Sequence, residues 1–266
     1  MSRENALSKV PAVTLTFWII KILATTLGET GGDSVTMTWL GETTAHPNPN
    51  GYLIGTAIFF AALVVLVILQ IVAKTFHPLL YWATIVASTT AGTTLADFAD
   101  RSLGIGYVGG SLLLFALLML VLGLWRYALG SVSVDHIDSP KVELFYWTTI
   151  LFSNTLGTAL GDFLADDSGL GFAGGALVFA AVLALIAAAY FLTRASRTLL
   201  FWSAFILTRP LGATLGDLLT KPHADGGFNL SRIDSASVIA AFIVGCILIF
   251  TSARAGDHPA AQRVRD

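Results

Sequence analysis

Eight apolar stretches, each about as long as a bilayer is thick, constrain this chain more than any other feature of its sequence. Crossing the roughly 30 Å hydrocarbon layer takes about 20 predominantly apolar residues in a helix. Only short connectors rich in Gly, Pro, Asn and Asp separate the stretches, which leaves no room for a soluble domain. The sequence therefore predicts an all-α membrane protein with eight transmembrane helices in one domain, residues 1–266. The stretches cover 13–33, 52–73, 79–98, 108–127, 144–164, 172–193, 199–220 and 236–253.

The composition agrees with this prediction and excludes one class of partner. Hydrophobic residues make up 55% of the chain and charged residues only 12%, with a mean hydropathy of +0.75. A soluble domain is about one-quarter charged. Because 15 Lys and Arg nearly balance 17 Asp and Glu, no strongly basic surface remains for nucleic acid. The expected partners are the lipid bilayer and a small cation.

The distribution of cations predicts the orientation of the chain. Lys and Arg accumulate in cytoplasmic loops of membrane proteins. An N-terminus in the cytoplasm places only Arg101, Lys221 and Arg232 on the outer side. Because the number of spans is even, both termini are then cytoplasmic. The cations on the cytoplasmic side are Arg3, Lys9, Lys74, Arg126, Lys141, Arg194, Arg197, Arg254, Arg263 and Arg265.

The odd-numbered stretches share one motif: an aromatic residue and Trp, nine residues, Gly, four residues and Asp. Each copy contains two spans, so all copies enter the membrane in the same direction. A pseudo-fourfold rotation about the membrane normal relates such copies most simply. The copies cover approximately 13–75, 78–128, 143–194 and 198–254. The motif positions are Phe17, Trp18, Gly28 and Asp33; Tyr81, Trp82, Gly92 and Asp97; Tyr146, Trp147, Gly157 and Asp162; Phe201, Trp202, Gly212 and Asp217.

These repeated motifs resemble a family of bacterial multi-pass membrane proteins with four tandem two-helix repeats and a repeated tryptophan, catalogued as a repeat of unknown function. The matching segments are 17–30 (FWIIKILATTLGET), 145–147 (FYW) with 156–162 (LGTALGD), and 208–217 (TRPLGATLGD). The resemblance covers nearly the whole chain. It implies a fold and a location in the bacterial cytoplasmic (inner) membrane, but it brings no assigned activity.

A polar stripe runs along each odd-numbered stretch. Polar residues concentrate seven, eight, eleven, twelve and fifteen positions after the Trp, a spacing that places them on one helical face. Because an unpaired polar group in hydrocarbon costs several kcal/mol, we expect the four stripes to converge inside the bundle and the even-numbered helices to surround them. The predicted pathway residues are Thr26, Thr30, Thr90, Thr93, Thr94, Asn154, Thr155, Thr158 and Thr214.

Carboxylates in these stripes indicate a cation site. Acids that converge at similar depth repel one another, so either some hold protons or a cation lies among them. The stripes offer carboxylate, hydroxyl and amide groups but no thiol or imidazole. Such donors suit a proton, sodium or a hard divalent ion such as magnesium, calcium or manganese. We predict a transporter or channel-like carrier with no cofactor other than this cation. The candidate ion-binding residues are Asp33, Asp97, Asp162, Asp217 and Glu29.

Departures from the repeat suggest a counter-charge or gate. Arg209 lies about 10 Å along its helix from the motif Trp, near the middle of the membrane. A buried cation there needs a partner, for which Glu29 is the first candidate and Asp217 the next. Pro210 removes a backbone donor and predicts a kink at the same depth. Lys21 also interrupts an otherwise apolar position.

Other interpretations compete with transport. Threonines in membrane helices often bond their own backbone, and glycines often serve close packing. The tryptophans are typical of interfacial anchors, and the aspartates could simply be solvated helix ends. The alternative function is a non-transporting, membrane-anchored regulator or scaffold whose buried charges fix helix packing. We do not predict an enzyme, because the chain has no HExxH, no GxSxG and no histidine in the stripes.

Overall fold

The computed structural model describes residues 9–44, 46–134, 137 and 139–256. Over these residues the chain forms eight long α-helices and no β-strand. Each helix coincides with one of the predicted apolar stretches. Three cations used to predict the orientation, Arg3, Arg263 and Arg265, lie outside the described residues. The helices are α1 Leu15–Asp33, α2 Gly51–Val72, α3 Pro78–Asp97, α4 Tyr107–Leu129, α5 Pro140–Asp162, α6 Gly171–Leu192, α7 Arg197–Thr220 and α8 Arg232–Gly256.

Local signals define several of the helix ends. The side chain of Thr14 accepts a hydrogen bond from the backbone N–H of Phe17 and caps α1. Pro78 and Pro140 begin α3 and α5, where a missing N–H costs nothing. Gly130, with φ of +76°, ends α4 in the left-handed conformation that glycine adopts readily.

The odd-numbered helices, called the inner helices below, contact one another in cyclic order. Helix α1 contacts α3, α3 contacts α5, α5 contacts α7, and α7 contacts α1. Each even-numbered helix, called an outer helix, packs against the inner helix that follows it: α2 on α3, α4 on α5 and α6 on α7. The last outer helix, α8, packs on α1 and closes the cycle.

The outer helices expose the apolar surface that a bilayer requires. Among the described residues, five helices are long and apolar enough to cross a membrane: α2, α4, α6, α7 and residues Arg232–Ile249 of α8. The most apolar windows of α2, α4 and α6 are only 17% buried, whereas that of α7 is 61% buried. Helices α1, α3 and α5 are less apolar because their inner faces carry the threonine and acid stripes. These features indicate a helical membrane protein.

The inner helices change geometry just after the motif aspartate. In the first three copies the aspartate is the last α-helical residue, and π-helical turns follow at Ser34–Trp39, Phe98–Ser102 and Phe163–Asp167. Helix α7 instead continues to Thr220 and remains α-helical through Pro210. The predicted kink at Pro210 stays a prediction. The aspartates therefore share one end of the inner bundle.

Candidate functional site

An aromatic collar surrounds the N-terminal ends of the inner helices; it consists of the motif Trp residues and the aromatic residue before each. Every such aromatic residue contacts the Trp of the next copy. Trp82, Trp147 and Trp202 are buried by these contacts. The interpretation as interfacial anchors is not supported for these three tryptophans, because they pack against aromatic residues of neighbouring copies instead of facing lipid; Trp18 is half-buried. The ring centroids lie 5.5 Å apart for Phe17–Trp82, 5.7 Å for Tyr81–Trp147, 6.3 Å for Tyr146–Trp202 and 5.8 Å for Phe201–Trp18.

The motif glycines bring adjacent inner helices into direct contact. A Cβ atom on Gly28 would lie 2.2 Å from Oγ1 of Thr89 on α3. A Cβ atom on Gly212 would lie 2.2 Å from Oγ1 of Thr25 on α1. The packing role suggested for these glycines is therefore present, in the manner of small residues at membrane helix crossings. The other two glycines make the equivalent contact, Gly92 with Asn154 and Gly157 with Arg209.

The predicted stripe residues are all buried, and most of their hydroxyl groups bond within their own helix. Thr26 donates to the carbonyl of Ile22 at 3.0 Å, and Thr90 donates to that of Val86 at 2.9 Å. These threonines are satisfied without an ion, as the packing interpretation expects. Intrahelical bonds of the same kind occur at Thr30, Thr93, Thr94, Thr155, Thr158 and Thr214.

Arg209 on α7 connects all four inner helices. Its Nη2 atom donates to Oε2 of Glu29 on α1 at 2.8 Å and to Oγ1 of Thr158 on α5 at 2.7 Å. The same nitrogen donates to Oγ1 of Thr93 on α3. Arg209 is 0% exposed and Glu29 is 3% exposed. The pair predicted from the sequence is therefore present, and each charge depends on the other because both are buried.

Lys21 occupies a separate layer between Arg209 and the aromatic collar. Its Nζ atom lies 3.4 Å from Oδ1 of Asn154 and 4.2 Å from the centre of the Phe205 ring. The amide of Asn154 in turn donates to Oγ of Ser88 at 3.1 Å. An amide oxygen and an aromatic face thus contact the buried amino group of Lys21. The sequence grouped Lys21 with Arg209, but the structure places them in different networks.

The motif aspartates are buried and paired rather than solvated. All four are 1–3% exposed, so the interpretation that they are solvated is wrong. Arg101, in the turn after α3, contacts Asp97 through Nε at 3.1 Å and Asp162 through Nη2 at 3.6 Å. Lys221, directly after α7, contacts Asp217 at 3.1 Å and Asp33 at 3.2 Å. Each cation thus joins the aspartates of two adjacent copies.

Sequence reasoning missed the role of these two cations because it assigned them to outer loops. The available signal was their position four residues after a motif aspartate, a spacing that brings side chains together on a helix. Asp97 raises the pKa of Arg101 more than burial lowers it. Burial lowers the pKa of Lys221, but Asp217 and Asp33 outweigh burial and raise it well above its ordinary value. Both cations therefore stay charged beside the acids.

Glu29, Asp33 and Asp217 form a three-carboxylate cluster. Each brings one oxygen to within 4.8 Å of the others, and all three residues are buried. Oδ1 of Asp33 is buried without a hydrogen-bond partner. Oxygen ligands lie 2.3–2.6 Å from a calcium ion, so one ion can join oxygens about 5 Å apart. The cluster has the donors and the spacing for a hard cation.

The five predicted ion-binding carboxylates therefore divide into two groups. Asp97 and Asp162 lie with Arg101 and contribute nothing to the three-carboxylate cluster. Across both groups, five carboxylates face the three cations Arg101, Arg209 and Lys221. Two formal negative charges would remain if every group were ionised. In a buried setting such an excess favours bound protons or a bound cation.

A cavity of about 720 Å³ opens beside the acids. Its lining includes Arg101, Lys221, Thr220 and Arg232. The side chains of Arg101 and Lys221 are 31% and 14% exposed, whereas those of the aspartates they pair with are at most 4% exposed. The cations therefore lie between the cavity and the buried carboxylates.

The inner helices surround the buried charges, and the apolar outer helices surround the inner helices. This arrangement defines a helical membrane protein built from repeats. The chain belongs to the family described as Repeat of Unknown Function (DUF347), which matches residues 16–76, 80–130, 145–196 and 200–255. The family predicted from the repeated motif is thereby confirmed. No curated protein sequence and no solved structure matches the chain.

Proposed function

We propose that the protein crosses the bacterial inner membrane eight times, with pseudo-fourfold inner helices and both termini in the cytoplasm, and that it carries a hard cation. The candidates are a proton, sodium or a divalent ion such as manganese or magnesium. We propose no enzymatic activity. The observation that carries the proposal is the buried cluster of Glu29, Asp33 and Asp217, with an oxygen of Asp33 left unpaired.

In this proposal the ion reaches the cluster from the cavity, and passage further along the bundle is closed, as a carrier with alternating access requires. The cavity reaches Lys221 beside the cluster. Towards the other end, Arg209 ties the four inner helices together, and the aromatic collar follows about 10 Å further along. In this proposal Arg209 is the gate, because passage through the bundle requires its bonds to Glu29, Thr93 and Thr158 to separate.

A non-transporting scaffold or regulator is the second candidate. It is favoured by the stripe threonines, whose hydroxyls are satisfied by their own helices. Under this alternative, the ion pairs serve only to fix helix register. The two candidates differ in one measurable respect, since only the carrier binds and moves a cation.

Asn in place of Asp33 is expected to weaken cation binding strongly while the protein still folds, because it removes a charged ligand but keeps the shape. Purified protein is titrated separately with Na⁺, Mg²⁺, Ca²⁺ and Mn²⁺ while the melting temperature is followed, since an ion that binds only the native state raises it. We expect affinity to fall by about 100-fold or more. Flux of the same ion into proteoliposomes is then measured.

Asp162→Asn is the matched control, because Asp162 holds the equivalent position on α5 but lies outside the cluster. It should bind the ion as the wild type does. Equal losses in both variants would contradict a site at Glu29, Asp33 and Asp217. A wild type that responds to none of the ions and shows no flux of these ions or of protons would leave the scaffold as the better description.

The proposed orientation is tested by cysteine labelling. Cys246 is the chain's one cysteine, so Cys246→Ser gives a cysteine-free background. In intact cells, a membrane-impermeant maleimide should label Asp167→Cys in the α5–α6 connector and leave Thr75→Cys in the α2–α3 connector unlabelled. Both positions are exposed. Labelling of Thr75→Cys from outside, or of both positions, would refute the orientation; permeabilised cells provide the control for reactivity.

A further inference from the structure

Every second copy of the repeat has a cation shortly after its motif aspartate. The residue four positions after the motif aspartate is basic in the second and fourth copies, Arg101 and Lys221. It is Met37 in the first copy and Asp166 in the third. Arg101 reaches from its own copy to the third, and Lys221 reaches from its own copy to the first. The two halves of the inner bundle therefore hold comparable aspartate pairs, each joined by one cation.

Among the described residues, only the pair around Lys221 belongs to a three-carboxylate cluster. Glu29, one turn before Asp33, completes the cluster around Lys221, whereas Thr158 takes the corresponding place beside Arg101. The bridging groups also differ. A lysine ammonium is a compact point charge on a flexible stem, whereas a guanidinium is a planar fork that holds carboxylates more rigidly. The half with three carboxylates thus carries the lysine, the cation with the more flexible stem.

The backbone of Lys221 is fixed while its side chain borders free space. Its N–H donates to the carbonyl of Asp217 at 2.8 Å, and its own carbonyl accepts from the N–H of Asn229 at 2.9 Å. Gly227 packs so closely that a Cβ there would lie 2.1 Å from the Lys221 carbonyl oxygen. The ammonium points at Asp33 and Asp217, and the same side chain lines the cavity. Rotation of the side chain alone would move the ammonium from one place to the other.

We propose that Lys221 is a tethered competitor for the cation site: its ammonium occupies the position between Asp33 and Asp217 when no ion is bound and moves into the cavity when one arrives. This inference rests on the proposed function. It also narrows the class of ion. Exchange of the ammonium for a monovalent ion leaves the buried excess at two negative charges, whereas exchange for a divalent ion reduces it to one. A divalent cation is therefore the favoured occupant.

Two substitutions of Lys221 should have opposite effects on the affinity for Mn²⁺, measured by isothermal titration calorimetry at fixed pH and ionic strength. Lys221→Met removes the competitor and should strengthen binding about tenfold or more. Lys221→Arg installs a charge that is harder to displace and should weaken binding by a similar factor. A purely structural role would move both variants in the same direction. Arg101→Met, in the half without the third carboxylate, should change affinity less than about threefold.

The outcomes separate this inference from the proposed function. If the wild type binds Mn²⁺ and both Lys221 variants bind equally well or both bind more weakly, the competitor is refuted while the site stands. If neither the wild type nor Lys221→Met binds Mn²⁺, the inference fails, and the titrations with the other cations decide the proposed function. Binding by Lys221→Met alone supports the competitor. If Lys221→Met does not fold, Lys221→Arg decides: weaker binding supports the inference, and unchanged or tighter binding overturns it.

Discussion

Arg209→Ala is expected to destabilise the protein by about 3–5 kcal/mol, because it leaves the Glu29 carboxylate buried without its partner. The guanidinium also bonds to Thr93 and Thr158, so the variant loses the group that joins α7 to the three other inner helices. The free energy of unfolding is measured in mixed micelles. Glu29→Gln in the same chain should restore part of the loss by removing the orphaned charge.

The double-variant cycle tests this coupling directly. Residues in one buried ion pair usually show interaction energies of about 0.5–3 kcal/mol, so the double variant should lose less than the two single variants together. Arg197→Ala provides the control on the same helix. Its side chain is exposed and stacks on Tyr190, a contact worth about 0.5–1 kcal/mol. Strictly additive losses for Arg209 and Glu29 would show that the two charges do not support each other.

Gly28→Ala is expected to cost about 1–3 kcal/mol, although alanine is the better helix former. The added methyl group would lie 2.2 Å from Oγ1 and 2.6 Å from Cβ of Thr89, so α1 and α3 would have to separate. Separation at this point also displaces Glu29, the next residue along α1. The measurement is again the free energy of unfolding in mixed micelles.

Gly31→Ala is the matched control, one turn further along the same helix. A Cβ on Gly31 would meet no atom within 4 Å. Without a clash, only the helix propensity changes, and the variant should gain about 0.5–1 kcal/mol. The two substitutions therefore differ in sign for one chemical change. A loss at Gly31 as large as that at Gly28 would mean that backbone conformation, and not contact between helices, determines both results.

The repeat allowed much of the architecture to be predicted. Polar residues spaced three and four apart cannot face lipid, so the stripes of the odd-numbered helices had to be buried. The pairing of Arg209 with Glu29 followed from the cost of an isolated charge at that depth. In each case a large energetic penalty left few alternatives.

Features that depend on the order of helices around the bundle could not be predicted in the same way. The sequence shows where the tryptophans lie, but their aromatic partners come from the preceding copy. Trp82 therefore resembled an anchor until Phe17 was placed beside it. Arg101 and Lys221 lie just beyond the apolar stretches, where a cation is normally solvated. Their function as bridges depends on the turns after α3 and α7, which return both side chains to the acids.

The packing of each outer helix on the inner helix of the following copy has a consequence for biosynthesis. The outer helix of each copy covers the inner helix of the next copy and not the inner helix of its own copy. No copy is therefore a self-contained folding unit. Of the eight helices, α1 leaves the ribosome first, and the outer helix that covers it, α8, leaves last. Until the fourth copy has been made, the polar side of α1 also lacks its neighbour α7, and the charged interior stays incomplete.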